Sequence, residues 1–370
     1  MIILNRNTDG NMMTVTLGIR RAEFDKALKD AYMENTDRYV VPGCAPGLAS
    51  RKAIEEIYGS DALWEEALNA AVPRAFKRYL EDENISVLGK PEVLTVSEPG
   101  ENGVTFSVRA ELYPEAGPGE YKGIHVSIKR EDNEEAFAMA VLKKACSEMN
   151  GDVSDTMVEM KLDSLTAKEM LNVSRDSIYH LLADTVEILS LAYQKTGISR
   201  PKEQVRREAM DIMLQTVSGS NEEPSVEYLS DQIIQLVRRY RTVPGDFDRI
   251  VSELFDQRRK KKAGMDPEEL TDEAFGAYLG SIGTDEEKWR EERRAEAAES
   301  ARCDLLLDAA ARKENISAED AEADKIVSGI AEQCGMEPET VRKEIDIDAV
   351  RRQIMRDKAF RLIVDSAVGI

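Results

Sequence analysis

The chain has 370 residues, of which 42% are hydrophobic and 33% are charged, and its formal net charge is -21. One core rarely serves a chain of this length, so we expect two or three domains. The acidic balance repels phosphate backbones and disfavours DNA as a partner, and the lack of any run of about 18 apolar residues argues against a membrane-spanning helix.

The first predicted elements mix strands and helices. Met13, Val15 and Leu17 recur at every second position, which is the period of a half-buried strand. Residues 24–32 carry an apolar stripe at helical spacing, and a loop and two more helices follow. Further strands are expected at residues 104–112 and 124–128. We therefore predict that residues 1–130 form a small antiparallel sheet with helices on one face, an α+β domain.

After Arg130 the apolar residues recur at helical spacing. Leu229, Ile233 and Leu236 are one example of such a stripe. We predict that residues 131–370 form a large all-α domain whose paired helices leave apolar grooves open. The basic residues Arg238, Arg239 and Arg241 and the run Arg258 to Lys262 are typical of solvated helix ends, or alternatively of a patch for an acidic partner or RNA.

The sequence contains no pattern for a cofactor, a metal or a catalytic group. The four cysteines, at positions 44, 146, 303 and 334, form no C-x-x-C pair, and no P-loop is present. The N-terminal residues lack the basic and apolar regions of a secretory signal. We expect reduced thiols, a cytoplasmic location, no cofactor, no metal and no catalytic residue.

Residues 39–59, YVVPGCAPGLASRKAIEEIYG, place a loop between two amphipathic segments. Pro42, Gly43, Pro46 and Gly47 interrupt helical structure, so this segment is predicted to be an exposed tip held by helices at both ends. The layout resembles the ribosome-docking loop of trigger factor, a family of bacterial chaperones of nascent chains. That loop runs Gly-Phe-Arg-x-Gly-Lys-x-Pro and is followed by a basic helix and Tyr-Gly.

The loop keeps the glycines of the family and lacks its contact residues. Cys44, Ala45 and Leu48 stand where the family has Phe, Arg and Lys, and Ser50 replaces its Pro. These replacements remove an apolar plug and charge-assisted contacts to phosphate. The resemblance therefore implies a degenerate ribosome-binding loop, which consists of Arg38, Gly43, Cys44, Ala45, Pro46, Gly47, Leu48, Arg51 and Lys52.

The resemblance extends well beyond the loop. Residues 14–130 resemble the N-terminal domain of the family, and residues 136–171 and 271–368 resemble its C-terminal helical domain. The family usually carries a strand-rich, FKBP-like prolyl isomerase domain between these parts, and this chain has no room for one. Residues from about 172 to 270 instead form a predicted helical insertion. The resemblance implies a divergent trigger factor without the isomerase domain.

The function implied by the resemblance is that of a chaperone that holds unfolded or nascent polypeptides in apolar grooves, without ATP and without isomerase activity. The implied partners are such polypeptides and the large ribosomal subunit near the exit tunnel. Flexible methionine side chains suit varied partners. The predicted client contacts are Met157, Met160, Met170, Met210 and Met213.

Two alternatives belong to other classes of function. The inserted helices could bind one dedicated partner, which would make this an interaction protein. The chain could also be a peptidyl-prolyl isomerase by family alone, although no segment offers the shaped aromatic pocket that this reaction needs.

Overall fold

The structure is a computed structural model that describes residues 2–45, 47–59, 61–217 and 224–369. Its strands are β1 (Ile2–Asp9), β2 (Met12–Ile19), β3 (Val87–Val96), β4 (Val104–Leu112), β5 (His125–Val126) and β6 (Val368–Gly369). Its helices are α1 (Arg21–Asn35), α2 (Arg51–Tyr58), α3 (Trp64–Asp82), α4 (Glu134–Glu148), α5 (Asp155–Ser174), α6 (Ser177–Thr196), α7 (Lys202–Val217), α8 (Val226–Tyr240), α9 (Phe247–Lys262), α10 (Pro267–Ser281), α11 (Glu286–Lys313), α12 (Asp320–Cys334), α13 (Pro338–Glu344) and α14 (Ile347–Ser366).

The N-terminal sheet is antiparallel, with the strand order β1-β2-β4-β3. Alternate residues of its two central strands face the core, and Val15 of β2 lies opposite Val108 of β4. Helices α1 and α3 cover this face with Phe24, Phe76 and other buried side chains. The alternation of β2 and the stripe of α1 therefore form the core that the sequence predicts.

Two strand predictions need correction. Strand β1 was not expected, because all eight of its residues are exposed and no buried face marks it in the sequence. The strand expected at residues 124–128 shortens to His125–Val126 and does not join the sheet, since it pairs in parallel with Val368–Gly369. After Arg130, the described elements are helices apart from the short strand β6 (Val368–Gly369). The predicted class of an α+β domain followed by an all-α region is therefore confirmed.

The chain divides into two compact units. Unit 1 consists of Met1–Met157 and Arg302–Ile370, and unit 2 is the continuous stretch Val158–Ala301. The division into residues 1–130, 131–370 and an insertion at 172–270 remains a prediction.

Unit 1 contains a part-buried polar centre between α11, α14 and the segment after β4. The Arg356 guanidinium on α14 bonds to Asp304 at 2.6 Å and Asp308 at 2.7 Å, both on α11. The Tyr113 hydroxyl donates to Asp308 at 2.5 Å. Burial and the Asp308 carboxylate raise the pKa of Tyr113, which keeps the hydroxyl protonated as a donor. This centre ties the segment after β4 to α14 and to the part of α11 that belongs to unit 1.

Unit 2 has its own apolar core. Helices α6, α7, α8 and α9 contribute Leu189, Ala209, Ile233, Phe247 and Val251, which are all buried. A second cluster forms where α10 and α11 bring together Phe275 and Trp289, whose rings meet edge to face at 5.9 Å. Because both clusters are built within residues 158–301, this unit has the core that a domain needs.

Candidate functional site

The loop at residues 39–59 is shaped by two glycines with left-handed backbone. Gly43 has φ of 86° and Gly47 has φ of 77°, a region that side chains other than glycine rarely adopt. Two turns accompany them, with the Cys44 amide donating to the Val41 carbonyl and the Leu48 amide to the Ala45 carbonyl, each at 3.0 Å. Pro46 lies outside the described residues.

Tyrosines attach this loop to the helices around it. The Tyr58 hydroxyl donates to the Val40 carbonyl at 2.9 Å and accepts from the Val40 amide at 3.1 Å. Tyr32 donates to the Ala49 carbonyl at 2.9 Å, and Tyr39 donates to the Ala62 carbonyl at 2.6 Å. The sequence did not predict that Tyr32 and Tyr39 hold the loop. The available signal was their position next to a Pro-Gly loop, three residues before and four residues after the end of α1 at Asn35.

A small apolar cluster lies beneath the loop and supports it. Val41, Ala49 and Ile54 are buried there, with Tyr32 and Tyr39 packed against them. Burial, and secondarily the Glu66 carboxylate, raises the pKa of Tyr39, so this hydroxyl stays a donor. The loop is therefore held from within, and its tip can be presented as a defined surface.

The outer surface of the loop is apolar, and most of the cations near it are paired with a carboxylate. Val40 is 76% exposed and Leu48 is 78% exposed, while Cys44 and Ala45 also face solvent. Arg38 is exposed at the end of a short 3-10 turn. Arg51 contacts Glu55 at 2.6 Å and Lys52 contacts Glu56 at 4.0 Å, each one helical turn away. Two of the three predicted cations thus have a neutralising neighbour.

The predicted client-contact methionines occupy different environments. Met157 and Met213 are buried at 5% and 3% exposure, so they fill cores and cannot reach a client in this state. Met170 and Met210 are half-buried at the edges of the unit 2 clusters. Met160 is 49% exposed. We keep Met160, Met170 and Met210 as candidate contacts.

Unit 1 contains an open groove whose lining residues the sequence did not predict. It has a volume of about 630 Å³ and runs between α4 and α14. Its apolar lining is Ala138, Met139, Phe360 and Val364, and its charged lining is Arg130, Glu134, Glu135, Arg361 and Asp365. Met139 is 65% exposed beside it. The mixture of a flexible apolar side chain with charges of both signs suits an extended polypeptide segment.

The basic run at the end of α9 is in part a solvated helix end, since Arg259, Lys260 and Lys261 are exposed, but its first residue, Arg258, is buried. The Arg258 side chain is 4% exposed and reaches Asp184 at 2.8 Å and Glu187 at 2.6 Å, and it also bonds to Glu273. Burial opposes its charge, but the bonds to Glu273 and Asp184 outweigh burial and raise the pKa of Arg258. Lys261 and Lys262 pair with carboxylates of the same cluster.

A smaller cavity adjoins this cluster in unit 2. It has a volume of about 250 Å³ between α6 and α10, with apolar walls from Leu182, Val186 and Ala277. A Cβ added at Gly280 on α10 would lie 2.9 Å from the Arg206 side chain, so that flexible side chain would have to move.

Within the described residues, no group of three or more His, Cys, Asp or Glu side chains is placed to hold a metal ion. In the same part of the chain, no helix combines the length and the apolar character that a bilayer crossing requires.

Comparison with known proteins decides the family. Residues 1–145 match the model of the bacterial trigger factor protein, and residues 241–365 match the model of the trigger factor C-terminus. Both matches name the same family, and together they take in most of the chain. The chain belongs to the trigger factor family.

Curated trigger factors are similar to this chain, two of them along nearly its whole length and one over about a third of it. The trigger factor of Ruminiclostridium cellulolyticum is 22% identical over 98% of this chain and 98% of its own length. That of Halothermothrix orenii is 24% identical over 100% and 99%. That of Lachnoclostridium phytofermentans is 32% identical over 134 residues, 36% of this chain and 31% of the relative. A solved structure on promiscuous substrate recognition by the trigger factor chaperone covers 99% of both chains at 12% identity, with a TM-score of 0.38.

Family membership confirms the resemblance predicted from the sequence. The described residues between the two matched stretches, 146–217 and 224–240, form helices after a short connection, so no strand-rich isomerase domain is inserted there. Membership in the trigger factor family supports a chaperone role for this chain.

Proposed function

We propose that this protein is a cytoplasmic holding chaperone that binds unfolded or nascent polypeptides through apolar grooves of its helical region. Residues 131–370 serve as the client-binding domain in this proposal, and residues 1–130 as a ribosome-docking type of domain. The observation that carries the proposal is the open groove between α4 and α14, where Met139 is 65% exposed beside Phe360 and Val364.

Such binding is weak enough to reverse without ATP. A contact that removes about 400 Å² of apolar surface from water contributes roughly 10 kcal/mol, at ~25 cal/mol per Å². Association costs about 4 to 15 kcal/mol in lost translational and rotational freedom, so little net affinity remains. A client can therefore leave by dissociation alone as its own folding buries the same apolar residues.

The test is suppression of aggregation when a denatured substrate protein is diluted into buffer. Met139→Asp places a charge in the groove and should lower suppression several-fold. Met336→Asp makes the same change at a 45% exposed methionine outside the groove and should leave suppression intact. Equal suppression by the Met139→Asp variant and the unaltered protein would remove the groove from the proposal.

Three measurements separate this proposal from the alternatives. Added ATP should not change the suppression, and a refolding reaction limited by proline isomerisation should not accelerate. A pull-down that returns one stoichiometric partner, and not a spread of unfolded chains, would favour a dedicated interaction protein.

We propose further that ribosome docking is weak in this chain. The loop tip presents Ala45 and Leu48 where the family has cations, and the Arg51 and Lys52 charges lie next to Glu55 and Glu56. A net charge of -21 adds long-range repulsion from RNA.

Restoring the contact residues tests this part of the proposal. The triple change Cys44→Phe, Ala45→Arg and Leu48→Lys should raise co-sedimentation with ribosomes at low salt, by tenfold or more if about 1.4 kcal/mol is regained. The matched control adds two cations outside the loop and the groove, through Leu214→Arg and Met336→Lys at exposed positions, and should have little effect. Strong co-sedimentation of the unaltered protein would contradict the proposal.

A further inference from the structure

Two of the four cysteines lie side by side in unit 1. Cys146 is on α4 and Cys303 is on α11, and their sulfur atoms are 3.2 Å apart although 157 positions separate them in the chain. Cys146 is buried at 4% exposure and Cys303 is half-buried. The sequence gives no sign of this pair, because the two residues form no short motif.

The contact is held by groups other than the thiols. The Arg302 guanidinium on α11 donates to the Cys146 carbonyl at 2.9 Å and to the Met149 carbonyl at 3.1 Å. These bonds satisfy carbonyls at the end of α4, where helical partners are missing. They also fix α11 beside α4 at the position of the two sulfur atoms.

We propose that Cys146 and Cys303 form an oxidation site, which a hydroperoxide converts into an intramolecular disulfide. A disulfide needs a sulfur separation of about 2 Å, so the atoms must approach by roughly 1 Å, which side-chain rotation can supply. A pair this close in a reduced protein reacts as a unit, because one sulfur can capture the other as soon as it is oxidised.

The reaction proceeds in two balanced steps. The Cys303 thiolate, the more exposed of the two, attacks one peroxide oxygen and breaks the O–O bond, which gives a sulfenic acid and releases water or an alcohol. The Cys146 thiolate then attacks the Cys303 sulfur, the S–S bond forms as the S–O bond breaks, and the departing hydroxide takes up a proton and leaves as water. Two electrons pass from the sulfurs to the peroxide, and a thiol reductant reverses the change.

The position of the pair in the chain gives the disulfide a defined consequence. Unit 1 ends its first segment at Met157 and resumes at Arg302, so Cys146 and Cys303 lie on the two segments that flank unit 2 in the sequence. The bond would close a covalent loop that contains all of unit 2. A long closed loop restricts the unfolded chain strongly, so oxidation should raise the unfolding midpoint of unit 1.

The test uses the variant Cys44→Ser with Cys334→Ser, which removes the two exposed cysteines and keeps the pair. After treatment with hydrogen peroxide, we expect the proteolytic peptides that contain Cys146 and Cys303 to be joined with a loss of two hydrogen atoms, a fall from two to zero titratable thiols in denaturant, and no covalent dimer; the cysteine peptides are measured because peroxide also oxidises exposed methionines. Dithiothreitol should restore both thiols. The unfolding midpoint of the oxidised form should lie above that of the reduced form.

Adding Cys146→Ser to this variant provides the matched control. Cys303 then has no partner cysteine, and peroxide should give a sulfenic acid that dimedone traps. Trapping of the same adduct with Cys146 present, a gain of oxygen on the cysteine peptides at Cys146 or Cys303 without the loss of hydrogen, or a disulfide between two molecules would each overturn the proposal.

Discussion

The loop at residues 39–59 and the basic run Arg258 to Lys262 both place adjacent cations near a helix end, and the structure uses them differently. In the loop, Arg51 and Lys52 meet carboxylates one turn along their own helix, at the surface. In α9, the first cation of the run is buried and meets carboxylates of α6 and α10. A basic stretch in an acidic chain is therefore not a sign of a phosphate-binding surface until the positions of the carboxylates are known.

The largest expected effect comes from removing the buried cation, Arg258. Arg258→Met leaves Asp184, Glu187 and Glu273 clustered without their central charge, and we expect unit 2 to lose about 3 kcal/mol of its free energy of unfolding. Lys261 and Lys262 still neutralise part of the cluster, which keeps the loss at the lower end of the usual range. Urea unfolding can be followed by Trp289 fluorescence in a Trp64→Phe background, since Trp289 is the tryptophan of unit 2.

The neighbouring residue supplies the control for this experiment. Arg259 is exposed and pairs with Asp256 on the same helix, as surface ion pairs do. Arg259→Met should change the free energy of unfolding by less than about 0.5 kcal/mol. If Arg258→Met proves equally mild, the cluster is not the buried ionic centre described above.

The second prediction concerns how the loop is held. Tyr58→Phe removes both hydrogen bonds to the Val40 backbone and should cost about 1 kcal/mol locally, because the exposed Val40 groups can bond to water instead. The measurement is amide hydrogen exchange at Val40, which should become about fivefold faster. Tyr32→Phe removes a bond to Ala49 and should leave the Val40 amide unchanged. Unaltered Val40 exchange in Tyr58→Phe would mean that the tyrosine does not hold the loop.

The smallest expected effect comes from neutralising the loop carboxylates. Glu55→Gln with Glu56→Gln breaks two exposed pairs, each worth about 0.3 to 0.5 kcal/mol. Both residues lie in the last turn of α2, where removing negative charge favours the helix dipole and offsets part of the loss. Thermal unfolding should therefore barely shift, while ribosome co-sedimentation at low salt should rise.

A matched surface change keeps that result interpretable. Glu203→Gln with Glu253→Gln breaks two similar exposed pairs, with Arg207 on α7 and Arg249 on α9, and should not affect ribosome binding. A loss of more than about 1 kcal/mol in the loop variant would show that its ion pairs stabilise more than exposed pairs do.

The elements that could be predicted from the sequence are those in which one face is buried and the other is exposed. Strands β2 and β4 and the helices after Arg130 carry such a period, and the structure confirms them. Strand β1 has no buried face, so its residues do not reveal it. Residues 125–126 pair with 368–369, and no local pattern can indicate a partner so far along the chain.

The candidate site shows the same limit. The two glycines of the loop were visible because their left-handed backbone restricts the residue type. The burial of Arg258 was not visible, because two of its carboxylates lie 74 and 15 positions away. Methionine content suggested adaptable contacts, but exposure depends on packing, and Met157 and Met213 proved to be core residues.

The discontinuity of unit 1 sets an order for events during translation. Residues 158–301 leave the ribosome as one uninterrupted stretch and can assemble their core while the remaining segment is still being made. Arg356 and its aspartates all come from the final segment, and the sulfur of Cys303 meets Cys146 only after that segment is synthesised. The middle of the chain can therefore mature before the helical part of the unit that flanks it in the sequence.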